Sequence, residues 1–245
     1  MPSLLEVREI TKAYGGLVAV NQASFAVNEG TITALIGPNG AGKTTAFDVI
    51  CGIVEPGAGT VLHDGVDMTG WLPHRVTRRG IGRTFQITRE LGDLTVLENV
   101  VVPSATGGIR KLFGPRISYA ERTRAMDLLT FVGIERLCDQ LAKSLSYGQR
   151  KLLEFASVLM GEPRLVLLDE PAGGVNPALL ERIMDRIRTL NTGGTTFLIV
   201  EHNMDVVMRL SHSVIVMAHG EVILQGPPDQ VRADHRVLDA YLGKA

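Results

Sequence analysis

The sequence predicts an α/β fold with a largely parallel core sheet and an inserted helical lobe. Three observations predict it. The runs "TITALIG" (31–37), "RLVLLDEP" (164–171) and "TTFLIVEH" (195–202) are short and almost wholly apolar at their centres, the pattern of strands buried on both faces. Helix-patterned segments separate them, which puts the strands side by side in one mostly parallel sheet. Residues 88–160 contain no such run, so that stretch forms a helical lobe, inserted in a core of about 1–87 and 161–245.

The elements follow in chain order. "LLEVREITKAY" (4–14) and "ASFAVNEG" (23–30) read as short strands, the second with some alternation. A Gly-rich loop follows the first buried run, and a helix extends from roughly Lys43 to Cys51. "EPGAGTVLHDGVDMTG" (55–70) carries turn signals around a short strand, and "RGIGRTFQ" (79–86) predicts another. "PSATGGIRKLFGPR" (103–116), with two Pro and three Gly, is a connection inside the lobe. "SYAERTRAMDLLTFVGI" (118–134) spaces Met126, Leu129 and Val132 as on a helix. "LSYGQRKLLEFASVLM" (145–160) is a second lobe helix, with Leu152, Leu153, Ala156 and Leu159 on its apolar face. "PALLERIMDRIRTL" (177–190) is a helix stopped by "NTGG". "HSVIVMAHGEVILQG" (212–226) predicts a hairpin turning at His219–Gly220, ahead of a short helical tail.

Composition narrows the function classes. The 245 residues are 45% hydrophobic and 21% charged, ordinary for a globular chain, and suffice for a sizeable core. A net charge of −1 gives no global pull toward nucleic acid. The basic cluster Arg75, Arg78, Arg79 and Arg83 reads as a solvated or partner-facing surface. Cys51 and Cys138 lie far apart without CxxC spacing, as buried thiols of a reducing compartment would. No apolar stretch approaches the ~20 residues that cross a bilayer, and the N-terminus lacks the apolar core of a signal peptide. The expectation is no direct membrane insertion: any membrane link passes through a partner.

The chemistry gathers in a few short motifs. Gly37 to Thr44, "GPNGAGKT", satisfies G-x-x-x-x-G-K-[ST] between an apolar strand and a helix. Glycines there let backbone N–H groups turn onto phosphate oxygens, and the helix start adds its positive pole. Lys43 is placed to reach β- and γ-phosphates, and Thr44 to put its hydroxyl on Mg²⁺. Asp169 ends a buried strand at the carboxyl edge, where parallel sheets collect ligands, and suits a Mg²⁺ water shell. Glu170 follows as a candidate general base for an attacking water. His202 ends a third buried strand at that edge, as a γ-phosphate contact. His63, His74, His212, His219 and His235 have no such setting and read as surface or packing residues. Ser146 caps the helix that opens at "LSYGQ"; on residues alone this is either an ordinary capped helix or a second anion-seeking helix start.

"LSYGQ" (145–149) resembles the LSGGQ signature of ABC-type ATPases, and with it the order of every motif matches. The chain is therefore identified as a member of that family, over nearly its whole length. The resemblance implies a P-loop NTPase core, an N-terminal antiparallel β subdomain and an inserted helical lobe in a single ABC ATPase domain, 1–245. Tyr14 would stack on adenine. Gly37, Pro38, Asn39, Gly40, Ala41, Gly42, Lys43, Thr44 and Thr45 would form Walker A. Gln86 would be the Q-loop residue that senses Mg²⁺ and water and faces a transmembrane subunit. Ser146, Gly148 and Gln149 would bind the nucleotide of a neighbouring cassette. Leu165 to Asp169 matches Walker B, "GGVN" (173–176) the D-loop, and His202 the switch histidine. ATP and Mg²⁺ are the implied cofactors. The implied partners are a second ATPase subunit, the same or different, and transmembrane permeases, with no nucleic acid. Tyr147, Asn176 and Ser157 depart from the common pattern, at positions usually Gly, Asp and Arg.

Within the family, "GIGRTFQITRELGDLTVLENV", "LSYGQRKLLEFA", "LLDEPAGGVNP" and the ending "YLGKA" resemble ATPases of branched-chain amino acid importers, with urea and amide importers close behind. This implies a cytoplasmic subunit, peripheral on the inner face of the membrane. A soluble ABC ATPase in an assembly role, such as iron–sulfur cluster assembly, is the alternative; the permease-facing segment and the tail argue against it. Cassettes of repair or translation carry long coiled coils or two ATPase units, and this chain has neither.

Overall fold

The structure, a computed structural model, describes residues 2–84, 90–104 and 117–242. Its first half comprises β1 (Ser3–Tyr14), β2 (Leu17–Asn28), β3 (Ile32–Ile36), α1 (Lys43–Ile50), β4 (Ala58–His63), β5 (Val66–Asp67), α2 (Pro73–Arg78) and β6 (Ile81–Arg83). Then come α3 (Val96–Val101), α4 (Tyr119–Val132), α5 (Tyr147–Leu159), β7 (Leu165–Asp169), α6 (Pro177–Thr192) and β8 (Thr196–Val200). The chain closes with α7 (Met204–Leu210), β9 (Ser213–Ala218), β10 (Glu221–Gly226), α8 (Pro228–Ala233) and α9 (His235–Leu242).

Two sheets form. β2, β1, β4 and β5 make an antiparallel sheet in that order. The second runs β10-β9-β3-β8-β7-β6, with every pair parallel except β10–β9. The three apolar runs are its centre, and all five residues of β3, β7 and β8 are buried. Their side chains alternate between two cores, as a pleated strand requires. Val166, Leu168, Phe197 and Ile199 pack toward α3–α6, while Leu165, Leu167, Leu198 and Val200 pack toward α1 and the antiparallel sheet.

β2 begins six residues before the predicted strand, at Leu17, because Gly15–Gly16 turns β1 back on itself and pairs Tyr14 with Leu17. The β9–β10 hairpin turns where the sequence places it; His219 (φ 51°) and Gly220 (φ 83°) both take the left-handed backbone of a two-residue hairpin turn. The helical tail is two helices, α8 and α9. Among the described residues, no helix is long and apolar enough to cross a membrane.

Candidate active site

The loop between β3 and α1 is shaped by close backbone approach. Gly42 caps α1 with φ 95°, and a Cβ there would lie 2.4 Å from the Ala19 carbonyl oxygen. A Cβ on Gly37 would sit 2.1 Å from the Met217 carbonyl oxygen, so the second residue type is dictated by β9 packed behind it. The Lys43 ammonium donates to the carbonyls of Gly37 (2.8 Å) and Pro38 (2.9 Å). Burial lowers its pKa, and the nearby carboxylates of Glu170 and Asp169 oppose that. The first turn of α1 has no acidic residue to neutralise the helix pole. A cavity of about 420 Å³ opens here, lined by Asn39 to Thr45, by Ala19, by Tyr14, Leu17 and Val18 around the β1–β2 turn, and by Glu170. Tyr14 is 48% exposed at its rim, with the Lys12 ammonium 5.4 Å from its ring centre.

Asp169 ends β7 at 4% exposure, and its amide donates to the Thr84 hydroxyl at 3.3 Å. Burial raises its pKa; the Arg83 guanidinium, 3.4 Å away, pulls it back. Arg83 also binds Asp48 at 2.6 Å. This corrects the reading of Arg83 as part of a solvated basic surface: its side chain is 6% exposed because two carboxylates from α1 and β7 hold it inside. Arg75 does remain outside, stacked on Trp71.

Glu170 takes φ 50°, unusual for a residue with a side chain, and its amide donates to the Val200 carbonyl at 3.0 Å. Its Oε1 lies 3.4 Å from Nδ1 of His202. The strands β7 and β8 therefore bring these two side chains together at one sheet edge. Glu201 went unread in the sequence. It is 1% exposed, and its carboxylate accepts the amides of Ala172 (2.8 Å), His202 (3.0 Å) and Asn203 (3.1 Å). Its signal was an acid closing an aliphatic run, directly before the histidine. The other histidines divide as expected: His212, for one, accepts the Ile32 amide through Nδ1.

Ser146 caps α5 through a reciprocal box. Its hydroxyl accepts the Gln149 amide at 3.4 Å, and Gln149 Oε1 accepts the Ser146 amide at 2.8 Å. The first-turn amides ahead of that bond remain directed outward by the geometry of any helix start. Ser146, Gly148 and Gln149 line a second cavity, of about 700 Å³, together with Asn176, Arg136 and Arg182 among others. It shares no residue with the cavity at the phosphate loop. Asn176 caps α6, its Oδ1 accepting the Leu179 amide at 2.9 Å. Gln86 lies outside the described residues.

The family described as "ABC transporter" matches residues 20–173, from β2 to the loop after Glu170. The chain belongs to the ABC transporter family. Residues 221–245 match a second description, "Branched-chain amino acid ATP-binding cassette transporter". A probable branched-chain amino acid transport ATP-binding protein, LivG of Archaeoglobus fulgidus, is 38% identical over 98% of this chain and 95% of its own length. The high-affinity branched-chain amino acid transport ATP-binding protein BraF of Pseudomonas aeruginosa is 36% identical over 99% and 98%. A solved ABC transporter cassette in its ADP conformation superposes with a TM-score of 0.88 at 34% identity, over 99% of this chain and 100% of that one. A dimeric bacterial ABC transporter cassette gives 0.81 at 28% identity, over 91% and 98%. As an ABC cassette, the chain binds nucleotide and couples ATP hydrolysis to transport.

Proposed function

We propose that this ABC cassette powers import of branched-chain amino acids through transmembrane permeases, acting as half of a cassette pair at the inner face of the membrane. The names of its relatives and the match of its C-terminal segment support the solute. The pairing rests on one observation: the phosphate-loop cavity and the signature cavity of a single chain have no residue in common. Two half-sites set apart on one chain are completed, in this reading, across two chains.

In this reading the backbone amides from Asn39 to Thr45 and the Lys43 ammonium grip the triphosphate, and Tyr14 stacks on the adenine. Lys43 exchanges its two loop carbonyls for phosphate oxygens. The second chain's signature, matching Ser146, Gly148 and Gln149 here, presents its helix start to the γ-phosphate. Thr44 and the buried Asp169 are hard oxygen donors of the kind Mg²⁺ takes alongside phosphates and water, and Gln86 would join them. Bound there, Mg²⁺ would neutralise charge on the β- and γ-oxygens. Glu170 accepts the proton of the attacking water, and His202 holds that carboxylate and contacts the γ-phosphate.

The test is uptake in the host. Deleting the coding sequence should abolish uptake of radiolabelled leucine, with wild-type but not Glu170→Gln protein restoring it. Intact leucine uptake with loss of urea or acetamide uptake would contradict the solute assigned.

A further inference from the structure

A buried ammonium from the signature helix grips the peptide that carries the proposed base. Lys151 stands on α5, one turn beyond Tyr147, and is 9% exposed. Its Nζ donates to the Glu170 carbonyl oxygen at 2.7 Å. That same oxygen accepts the Gly173 amide at 3.0 Å. The ammonium also lies 5.5 Å from the centre of the Tyr147 ring. The Tyr147 hydroxyl in turn donates to the Gly173 carbonyl at 3.4 Å. The ring covers Gly174, where a Cβ would come within 2.9 Å of Cε1.

Burying an ammonium is costly unless its donors are used, and the Lys151 ammonium is met by the Glu170 carbonyl and the face of the Tyr147 ring. An apolar side chain would fill the same space at lower cost. What the ammonium adds is a charged hydrogen bond to the one backbone group that follows the Glu170 side chain. Glu170 needs such support, since φ 50° is unfavourable for it. The far side of the segment is held by Glu201 through the Ala172 amide. The stretch from Glu170 to Gly174 is thus clamped between α5 and the end of β8.

We infer that Lys151 is a positioning residue for Glu170, and that Lys151 and Tyr147 rigidly link the signature turn of a chain to the carboxylate of that same chain. The signature turn serves the neighbour's nucleotide and Glu170 the chain's own, so the link joins the two sites of a pair. It also accounts for Tyr147: an aromatic replaces the usual Gly where Gly174 leaves room for it. The inference rests on the reading of Glu170 as the base.

The full-length protein tests it with Lys151→Met, Lys151→Arg and Glu170→Gln. Lys151→Met should lower kcat by roughly 10- to 100-fold with KM for ATP changed less than about twofold. Lys151→Arg, which keeps a charged donor, should restore most of kcat. Amide hydrogen exchange at Gly173 should quicken by about tenfold in Lys151→Met while the sheet amides stay unchanged. Wild-type kcat in Lys151→Met, a loss confined to KM, or unaltered exchange at Gly173 would each overturn the inference. An inert Glu170→Gln beside a fully active Lys151→Met removes only the role of Lys151. A fully active Glu170→Gln removes the base, and with it the inference.

Discussion

Both ring nitrogens of His63 are buried on β4 without a hydrogen-bond partner among the described residues. Burial lowers its pKa to about 4, helped by the Arg164 and Arg79 guanidiniums and opposed by Asp64 and Glu29. Between pH 6.5 and 4 the unfolded chain takes up a proton that the folded chain refuses, so stability falls as pH falls through that window. Unfolding free energies from urea titration at pH 7 and pH 4.5 should differ by about 2 kcal/mol from this group, the protein being the less stable at pH 4.5. His63→Leu should flatten that difference; an unchanged acid limb would mean that other groups govern it. The residues of the site differ in how plainly the sequence announced them. Gly37 to Thr44, Asp169, Glu170 and His202 could be placed from the sequence because each lies at or just beyond the end of a buried apolar strand. Arg83 and Lys151 could not, since their partners lie far along the chain. Arg83 meets Asp48 and Asp169 across 35 and 86 positions, and no local pattern encodes such a pairing.

Helix starts show how an element is set by a single side chain. The Asn176 cap satisfies the Leu179 amide at the start of α6, immediately after the loop that follows Glu170. Asn176→Ala should cost about 1 kcal/mol in urea unfolding, and Asn176→Asp, the residue more usual at this position, should cost little. Equal losses in both would show that the amide group has a contact other than the cap. Long elements were legible: α4, α5 and α6 repeat their apolar faces over several turns, and β3, β7 and β8 are continuous apolar runs. The short helices α2, α3 and α7 were not, because six or seven residues give less than two full turns of periodicity. α3 nonetheless had a readable mark, the Thr95–Glu98 capping box.

At the scale of the whole molecule, one sheet edge gathers the phosphate loop, Asp169, Glu170 and His202, while the helices packed on the sheet's other core carry Ser146 outward to a separate cavity. The parallel sheet was visible in its three apolar strands; the separateness of the two cavities was implied only by the family resemblance, because it depends on which way α5 points once it is packed. In the proposed pairing, hydrolysis needs two chains, each lending half a site. Specific ATPase activity measured across protein concentration, for wild type and Ser146→Arg, tests it most directly. The account predicts that wild-type specific activity climbs with concentration, and that Ser146→Arg binds ATP as tightly as wild type yet hydrolyses at least about 100-fold more slowly. Activity that is independent of concentration and untouched by Ser146→Arg would contradict it.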